Sequence, residues 1–497
     1  MNPMNPMNRS QDTEHRTAHG KTLGLAAWTE NDLTWMEGLL GPGGVVTEPS
    51  DIERYATDWT GSYRGRPPFV LRPMSTRHVS EILRYAHARA LPIVPQSGNT
   101  GLVGGSVPLD HEVILSLERM QRVLGLDLEV PALVCEAGAI LQDLETVARG
   151  EGLGMPVDLG SRGSCRAGGL VATHAGGMRL VRDGPLGASI LGLEVVLADG
   201  RILSSLKTLR KDNTGYRWRD LFVGSEGTLG VITGVSFLLH PLARARRTAL
   251  VPLETLDEIA PAIRVLRQSL GRSLAALELI DRETTSLVAR EIPEARAVPC
   301  PGACNLLLEI EGPAGGRLEE DLVQGLQDLA SAGLDHAAEE AILAQGDMEA
   351  RALWHLRESI TEAIRRTGSS RKFDVSVPPK AYSHVVSTLR TELRARWPHL
   401  ILLTFGHAAD GNLHLNIVGP RPHDGWETVD DAVYDRVLAA GGSISAEHGI
   451  GVLKKRHLGR MRTPEELALM REMKRLLDPQ GILNPGKLLG PDSPHGH

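Results

Sequence analysis

Val79, Ile82, Leu83 and Ala86 fall at helical spacing, so Thr76 to Ala90 reads as an amphipathic helix. Leu33 to Leu40 reads as a shorter helix, stopped by the turn Gly41-Pro42-Gly43-Gly44. Around them lie short apolar runs bounded by turn residues, which read as strands: Leu91–Val94, Val113–Leu117, Leu133–Glu136, Leu191–Leu197 and Ile202–Leu206. A helix over Leu141–Arg149 interrupts them, and Ala198-Asp199-Gly200 turns the last pair. This alternation ends near Pro241, and the basic stretch Ala243–Arg247 leads into a different texture. There Ser273–Ile280, Cys304–Ile310 and Leu400–Phe405 read as strands, and Leu318–Ser331, Asp347–Thr367 and Pro379–Arg396 as helices. Thr463–Leu477 is a last helix, closed by Asp478-Pro479-Gln480-Gly481. The pattern as a whole is α+β, with an antiparallel sheet expected in the second part.

Three glycine-rich stretches interrupt this pattern. Pro95 to Ser106 reads PQSGNTGLVGGS, Gly160 to Gly177 reads GSRGSCRAGGLVATHAGG, and Lys211 to Thr233 reads KDNTGYRWRDLFVGSEGTLGVIT. Such loops turn several backbone N–H groups toward one point and let a phosphate come close. The first is not a dinucleotide fingerprint, because no helix pattern opens from it. In this order the three segments resemble the flavin domain of the vanillyl-alcohol oxidase/p-cresol methylhydroxylase superfamily. Within it the chain resembles the FAD-dependent D-2-hydroxyacid dehydrogenases, from about Val45 to Leu489. The resemblance implies a two-part FAD-binding domain over 28–242 and an α/β cap domain with a largely antiparallel sheet over 243–445. A closing segment, 446–490, returns to the FAD domain, and 1–27 and 491–497 are expected to be tails, the first disordered.

FAD carries a pyrophosphate that needs N–H donors and a ring that needs an apolar slot. Pro95, Gln96, Ser97, Gly98, Asn99, Thr100 and Gly101 form one expected wall, and Gly163, Ser164, Cys165, Gly168 and Gly169 a second. The resemblance adds Thr173, Gly176, Gly177, Ile232 and Asn484. Two positions depart from its pattern: Leu170 and His174 stand where relatives usually carry Asn. The first loop has no His or Cys to tether a flavin, so non-covalent FAD is expected, although Cys165 and His174 lie in the second.

Composition narrows the function classes. The 497 residues carry a net charge of −7, which argues against nucleic acid as a partner. An anionic substrate would therefore need a local cationic pocket. Four cysteines, Cys135, Cys165, Cys300 and Cys304, are too few for a disulfide framework and point to a reduced, cytoplasmic setting. No apolar run is long enough for a transmembrane helix, and Lys21 to Trp28 is too short for the apolar core of a signal peptide. A homodimer is left open.

A second constellation lies late in the chain. Thr404 to Val418 reads TFGHAADGNLHLNIV, and Asp410-Gly411 is a two-residue hairpin signal. That turn would set His407 directly opposite His414, with Cβ atoms about 4.5–5.5 Å apart, and Asn416 on the same face. Such a pair either packs or shares a divalent ion. Ile444 to Gly451 reads ISAEHGIG. By resemblance its Glu447 is the third metal ligand beside His407 and His414, and His448 is the catalytic base. The chemistry needs a metal because an alcohol has a pKa near that of water, roughly 15.7. Imidazole sits near 6.5, a gap costing roughly 12 kcal/mol. Zinc suits a His₂Glu set, with manganese or iron as alternatives.

Arg357 and Thr361 share a face if Asp347–Thr367 is one helix, and Arg371–Pro378 alternates like a strand with Lys372, Asp374 and Ser376 on one side. By resemblance Arg357, Thr361 and Lys372 hold the substrate, together with Asn416 and His448. Two cationic anchors favour a dicarboxylate, D-2-hydroxyglutarate or D-malate, over D-lactate or glycolate. A flavin-binding subunit without turnover is the non-enzyme alternative. An electron-transfer flavoprotein, a quinone or a cytochrome would take the electrons.

Overall fold

A computed structural model describes residues 25–490 except Asp424; the expected tails lie outside these residues, apart from 25–27. The first helix, Glu30–Leu40, is fixed by a capping box in which Thr29 and Asp32 exchange side-chain and backbone hydrogen bonds. Ser75 caps Thr76–Ala88 and buries Val79, Ile82, Leu83 and Ala86, the stripe that the periodicity predicts.

Strands β1 (Val45–Val46), β2 (Val70–Leu71), β3 (Ile93–Gln96) and β4 (Val113–Ser116) form a small sheet in the order β1-β2-β4-β3, with β4 parallel to both neighbours. A second, antiparallel sheet holds β5 (Val123–Asp127), β6 (Ala132–Glu136), β7 (Ile190–Val196), β8 (Ile202–Ser205) and β9 (Val231–Leu238) in the order β5-β6-β9-β7-β8. One apolar core spans both sheets, and Ile482 and Leu483 from the C-terminal segment enter it. The C-terminal segment is held there by Asn484, whose N–H donates to Ile93 O, and by Ile93 N–H, which donates to Ile482 O.

Beyond Pro241 a separate core builds on a seven-stranded antiparallel sheet. Its strands are β10 (Ala245–Leu253), β11 (Leu274–Asp281), β12 (Cys304–Gly312), β13 (Ile342–Leu343), β14 (Ser370–Ser376), β15 (Ile401–His407) and β16 (Asn412–Val418). The order is β13-β10-β12-β11-β15-β16-β14. Strand alternation divides the sheet into two unlike faces. Phe373, Val375, Leu413, Leu415 and Ile417 enter the main core with helices 259–270, 318–331 and 382–396. Glu278, Asp374, His414 and Asn416 occupy the alternate positions, on the face that carries the chemistry.

Two differences from the sequence reading bear on the site. Asp347–Thr367 is two helices, Asp347–Glu358 and Ile360–Arg366, separated at Ser359 where ψ opens to −13°. The hairpin register also differs. Phe405, not His407, faces His414. The neighbouring elements explain this: His407 pairs with Glu278 of β11, Ala408 N–H donates to Leu277 O, and Val377 N–H, just past β14, donates to Gly411 O. The Asp410-Gly411 pair therefore closes a wider loop than a two-residue turn.

Candidate active site

A cavity of about 250 Å³ opens where the glycine-rich loops meet the 447–451 segment. Pro95, Gln96, Ser97, Gly98, Asn99, Thr100, Gly101, Cys165, Gly168, Gly169, Thr173, Gly176 and Ile232 all line it. Side-chain bonds shape the first loop. Gln96 donates to Tyr55 O and Ser106 O, Ser97 to Ala137 O, and Asn99 to Thr57 O. Among the described residues the N–H groups from Gly98 to Leu102 donate to no protein acceptor, so they are available to a phosphate. Gly98 has to be glycine, since a Cβ there would lie 2.5 Å from Ser164 O.

Four expected residues stand behind the wall. Ser164 packs under Gly98, Gly163 against Gln142, and Gly177 against the Asp158 backbone. Asn484 donates from Nδ2 to Gly105 O and Glu226 O, and its buried Oδ1 has no protein partner. Of the departures, Leu170 is buried in the core and reaches the cavity, while His174 takes a left-handed φ of 49°. Burial raises the Cys165 thiol and lowers the His174 imidazole. The orphan acceptor and free N–H groups fit the edge of a flavin and a pyrophosphate.

Glu447 and His448 form the far wall of this cavity. Behind them the rings of His407 and His414 lie 5.3 Å apart. Diagonal rather than opposed, they still converge: His407 Nε2 is 4.0 Å from Glu447 Oε2, and His414 Nε2 is 3.8 Å from Glu447 Oε1. One donor atom from each of the three lies within 4.8 Å of the others. Zinc needs its donors at about 2.0–2.2 Å, so small shifts let these three share one ion. Gly176 allows the approach, because a Cβ there would lie 2.6 Å from Glu447 Oε2.

Asp374, Glu447 and His448 form a second cluster of similar size. It is the poorer cation site. Asp374 Oδ2 already accepts from the N–H groups of Glu447 and His448, at 3.0 and 2.8 Å, and the Lys454 ammonium lies 3.6 Å away.

Charge is arranged around the three donors by a residue that sequence reasoning missed. Glu278, fully buried on β11, holds His407 Nδ1 at 2.5 Å with one oxygen and Arg357 Nε at 2.7 Å with the other. Burial opposes its charge, but His407 and Arg357 hold the carboxyl down at about 2. Burial likewise opposes charge on His407, yet Glu278 lifts it to about 9. His414 is pushed well below its usual value by burial and by His407. Burial raises Glu447 to about 7 and lowers His448. The carboxylate inside the apolar run LAALELI was the available signal, since a charge inside an apolar strand needs a partner.

Of the expected anchors, Arg357 reaches the cluster and lies 4.9 Å over the Phe405 ring, which packs on His414. Lys372 faces buried Asn416 across the β14–β16 pair, with burial lowering its ammonium. Thr361 stands exposed on the first turn after the Ser359 break, not on a continuous face with Arg357.

Residues 67–205 match the model of an FAD binding domain, and residues 242–488 match that of the FAD linked oxidases, C-terminal domain. The mitochondrial D-2-hydroxyglutarate dehydrogenase of Bos taurus is 42% identical over 94% of this chain and 85% of its own. The chain belongs to the FAD-linked oxidases. A second member, the mitochondrial D-2-hydroxyglutarate dehydrogenase of Arabidopsis thaliana, is 40% identical over 92% of this chain and 81% of its own. The fold extends further: a structure of p-cresol methylhydroxylase superposes with a TM-score of 0.70 at 16% identity, covering 95% of this chain and 99% of that one. For this FAD-linked oxidase, the cytoplasmic setting expected from cysteine usage is overturned, because these relatives are mitochondrial. A reduced thiol inventory is common to both compartments, so four cysteines do not separate them. No helix among the described residues is long and apolar enough to cross a membrane.

Proposed function

We propose that this FAD-linked oxidase oxidises D-2-hydroxyglutarate, or a close D-2-hydroxy acid such as D-malate, to the 2-oxo acid. One observation carries this reading: Glu447 and His448 share the wall of the glycine-loop cavity, and His407 and His414 stand directly behind them. The dehydrogenases it resembles are named for that substrate.

FAD held by the loops around Gly98 and Gly169 would supply the two-electron acceptor, and a divalent ion on His407, His414 and Glu447 would supply Lewis acidity at the substrate hydroxyl. Zinc fits the donor set, with manganese and iron as alternatives. His448 is the base. Its Nε2 lies 3.7 Å from Glu447 Oε1 and takes the hydroxyl proton; its Nδ1 lies 3.7 Å from Asp374 Oδ2, which steadies the resulting imidazolium. Burial keeps His448 neutral beforehand, the state a base requires. Arg357 engages one carboxylate through the donors that Glu278 leaves, and Lys372 and Asn416 meet the second. An electron-transfer flavoprotein, a quinone or a cytochrome is the class of external acceptor.

An anaerobic panel of D-2-hydroxy acids, followed by flavin absorbance, tests the reading. Bleaching is expected with D-2-hydroxyglutarate, and a chelator should suppress it. Lys372→Met should lower kcat/KM for dicarboxylates about tenfold or more and leave D-lactate nearly unchanged. Equal losses for both would remove Lys372 as an anchor, and no bleaching with any acid would remove the dehydrogenase reading.

A further inference from the structure

The segment that carries Glu447 and His448 has no regular structure, yet it has to hold a base in register with a cofactor bound by another domain. Its backbone is gripped from two sides. On the cap side Asp374 accepts the N–H groups of Glu447 and His448. On the flavin side, Glu226 of the GSEGTLG stretch accepts the next pair: Ile450 N–H to Oε1 and Gly451 N–H to Oε2, both at 2.8 Å. Between them Gly449 takes a φ of +80°, and a Cβ there would lie 2.8 Å from Glu226 Oε1. The buried Lys454 ammonium lies 3.6 Å from Asp374 Oδ2, and its field reaches both carboxylates.

Glu226 is itself fixed by the flavin domain. It lines the cavity, its N–H donates to Ala172 O at 2.7 Å, and its C=O accepts from Asn484 Nδ2 at 2.8 Å. Its φ of +50° is left-handed, a strain that persists only where the surroundings over-determine it. A single residue thus joins the second glycine-rich wall, the returning C-terminus and the His448 loop.

We propose that Glu226 is a positioning residue: it straps the His448 loop to the flavin cavity and so sets the base against the hydroxyl of a substrate whose carbon faces the flavin. This rests on reading His448 as the base. A loop held only by Asp374 would follow the cap domain and lose its register with the flavin wall. A misplacement on the order of 1 Å can cost about a hundredfold in rate.

The test uses holoenzyme and Glu226→Gln, whose amide keeps one acceptor and turns a donor on the other N–H. In anaerobic stopped flow with D-2-hydroxyglutarate, the limiting rate of flavin reduction is expected to fall about tenfold to a hundredfold, with the substrate concentration for half-saturation within about threefold. FAD content should match the wild type, and Tm should fall only by the cost of one lost buried hydrogen bond. Hydrogen exchange at the Ile450 and Gly451 amides should be protected in the wild type and faster in the variant. An unchanged reduction rate, a rise in half-saturation alone, loss of FAD, or unprotected wild-type amides would each overturn the assignment. His448→Asn is run beside it: wild-type reduction there would remove His448 as the base whatever Glu226 shows, and a near-total loss keeps the two questions separate.

Discussion

At the scale of single residues, the site depends on buried charges that satisfy one another. Glu278 accepts a hydrogen bond from His407 Nδ1–H, which leaves Nε2 to face Glu447. This is how an outer carboxylate fixes the tautomer of a ligating imidazole. Glu278→Gln should therefore weaken retention of a divalent ion about tenfold to a hundredfold, read by competition with a chelator. It should also loosen Arg357 and raise KM. A second buried charge carries a stability prediction. Lys487 Nζ is buried without a hydrogen-bond partner, and burial lowers its pKa to about 8 from the usual 10.5. Between those values the unfolded chain binds more protons, so this term makes the fold gain stability as pH rises through that window. Lys487→Met should stabilise the fold by on the order of 2–3 kcal/mol at pH 7, with the gain fading toward pH 10. Denaturant melts at the two pH values check it. Most of the proposed ligand and anchor residues were named from the sequence, because motifs and resemblance marked them. Glu278, in an apolar strand, and Lys454, at the head of a basic run, were not, since a charge shows its role only once its partner is folded beside it.

At the scale of elements, the β15–β16 hairpin is the part that carries both histidines. Its strands were legible from Thr404–Val418, but its register was not. An Asp-Gly pair predicts a tight turn on local grounds, while β11 and β14 decide the pairing by taking His407, Ala408 and Gly411 into their own ladders. The helix break at Ser359 is a similar case, because the apolar stripe runs through it and no Pro or Gly marks it. Gly406 is where the hairpin is most exacting. Its φ is +149°, and a Cβ would lie 2.4 Å from Asn412 O. Gly406→Ala should push β15 from β16 and cost at least about 2 kcal/mol. A lower Tm with loss of bound divalent ion checks it; a variant with unchanged Tm and ion content would show that the close approach is not needed.

At the scale of the whole molecule, two cores with different chemistry meet across one cavity. The three glycine-rich stretches, read from the sequence alone, mark the flavin side, and Glu447 and His448, with the histidine-bearing face of the seven-stranded sheet behind them, supply the other. Besides the Glu226 contact, Arg179 and Arg182 of the flavin domain reach Glu309 and Glu311 on β12. Arg179→Met leaves those buried carboxylates short of a cation and should cost roughly 3 kcal/mol, seen as a lower melting temperature. This seam was beyond the reach of sequence patterns, which report periodicity within an element and not which charges meet between domains.

A metal ion on His407, His414 and Glu447, and His448 as base, would together act on a D-2-hydroxy acid in the cavity that the flavin loops line. Anaerobic single turnover with D-2-hydroxyglutarate tests it most directly, comparing protein as purified, protein stripped by a chelator, and stripped protein given back Zn²⁺, Mn²⁺ or Fe²⁺. Rapid bleaching of the flavin is expected, with its loss on stripping and its return with one of these ions. Bleaching at the same rate in the stripped protein, with FAD still bound, would contradict it.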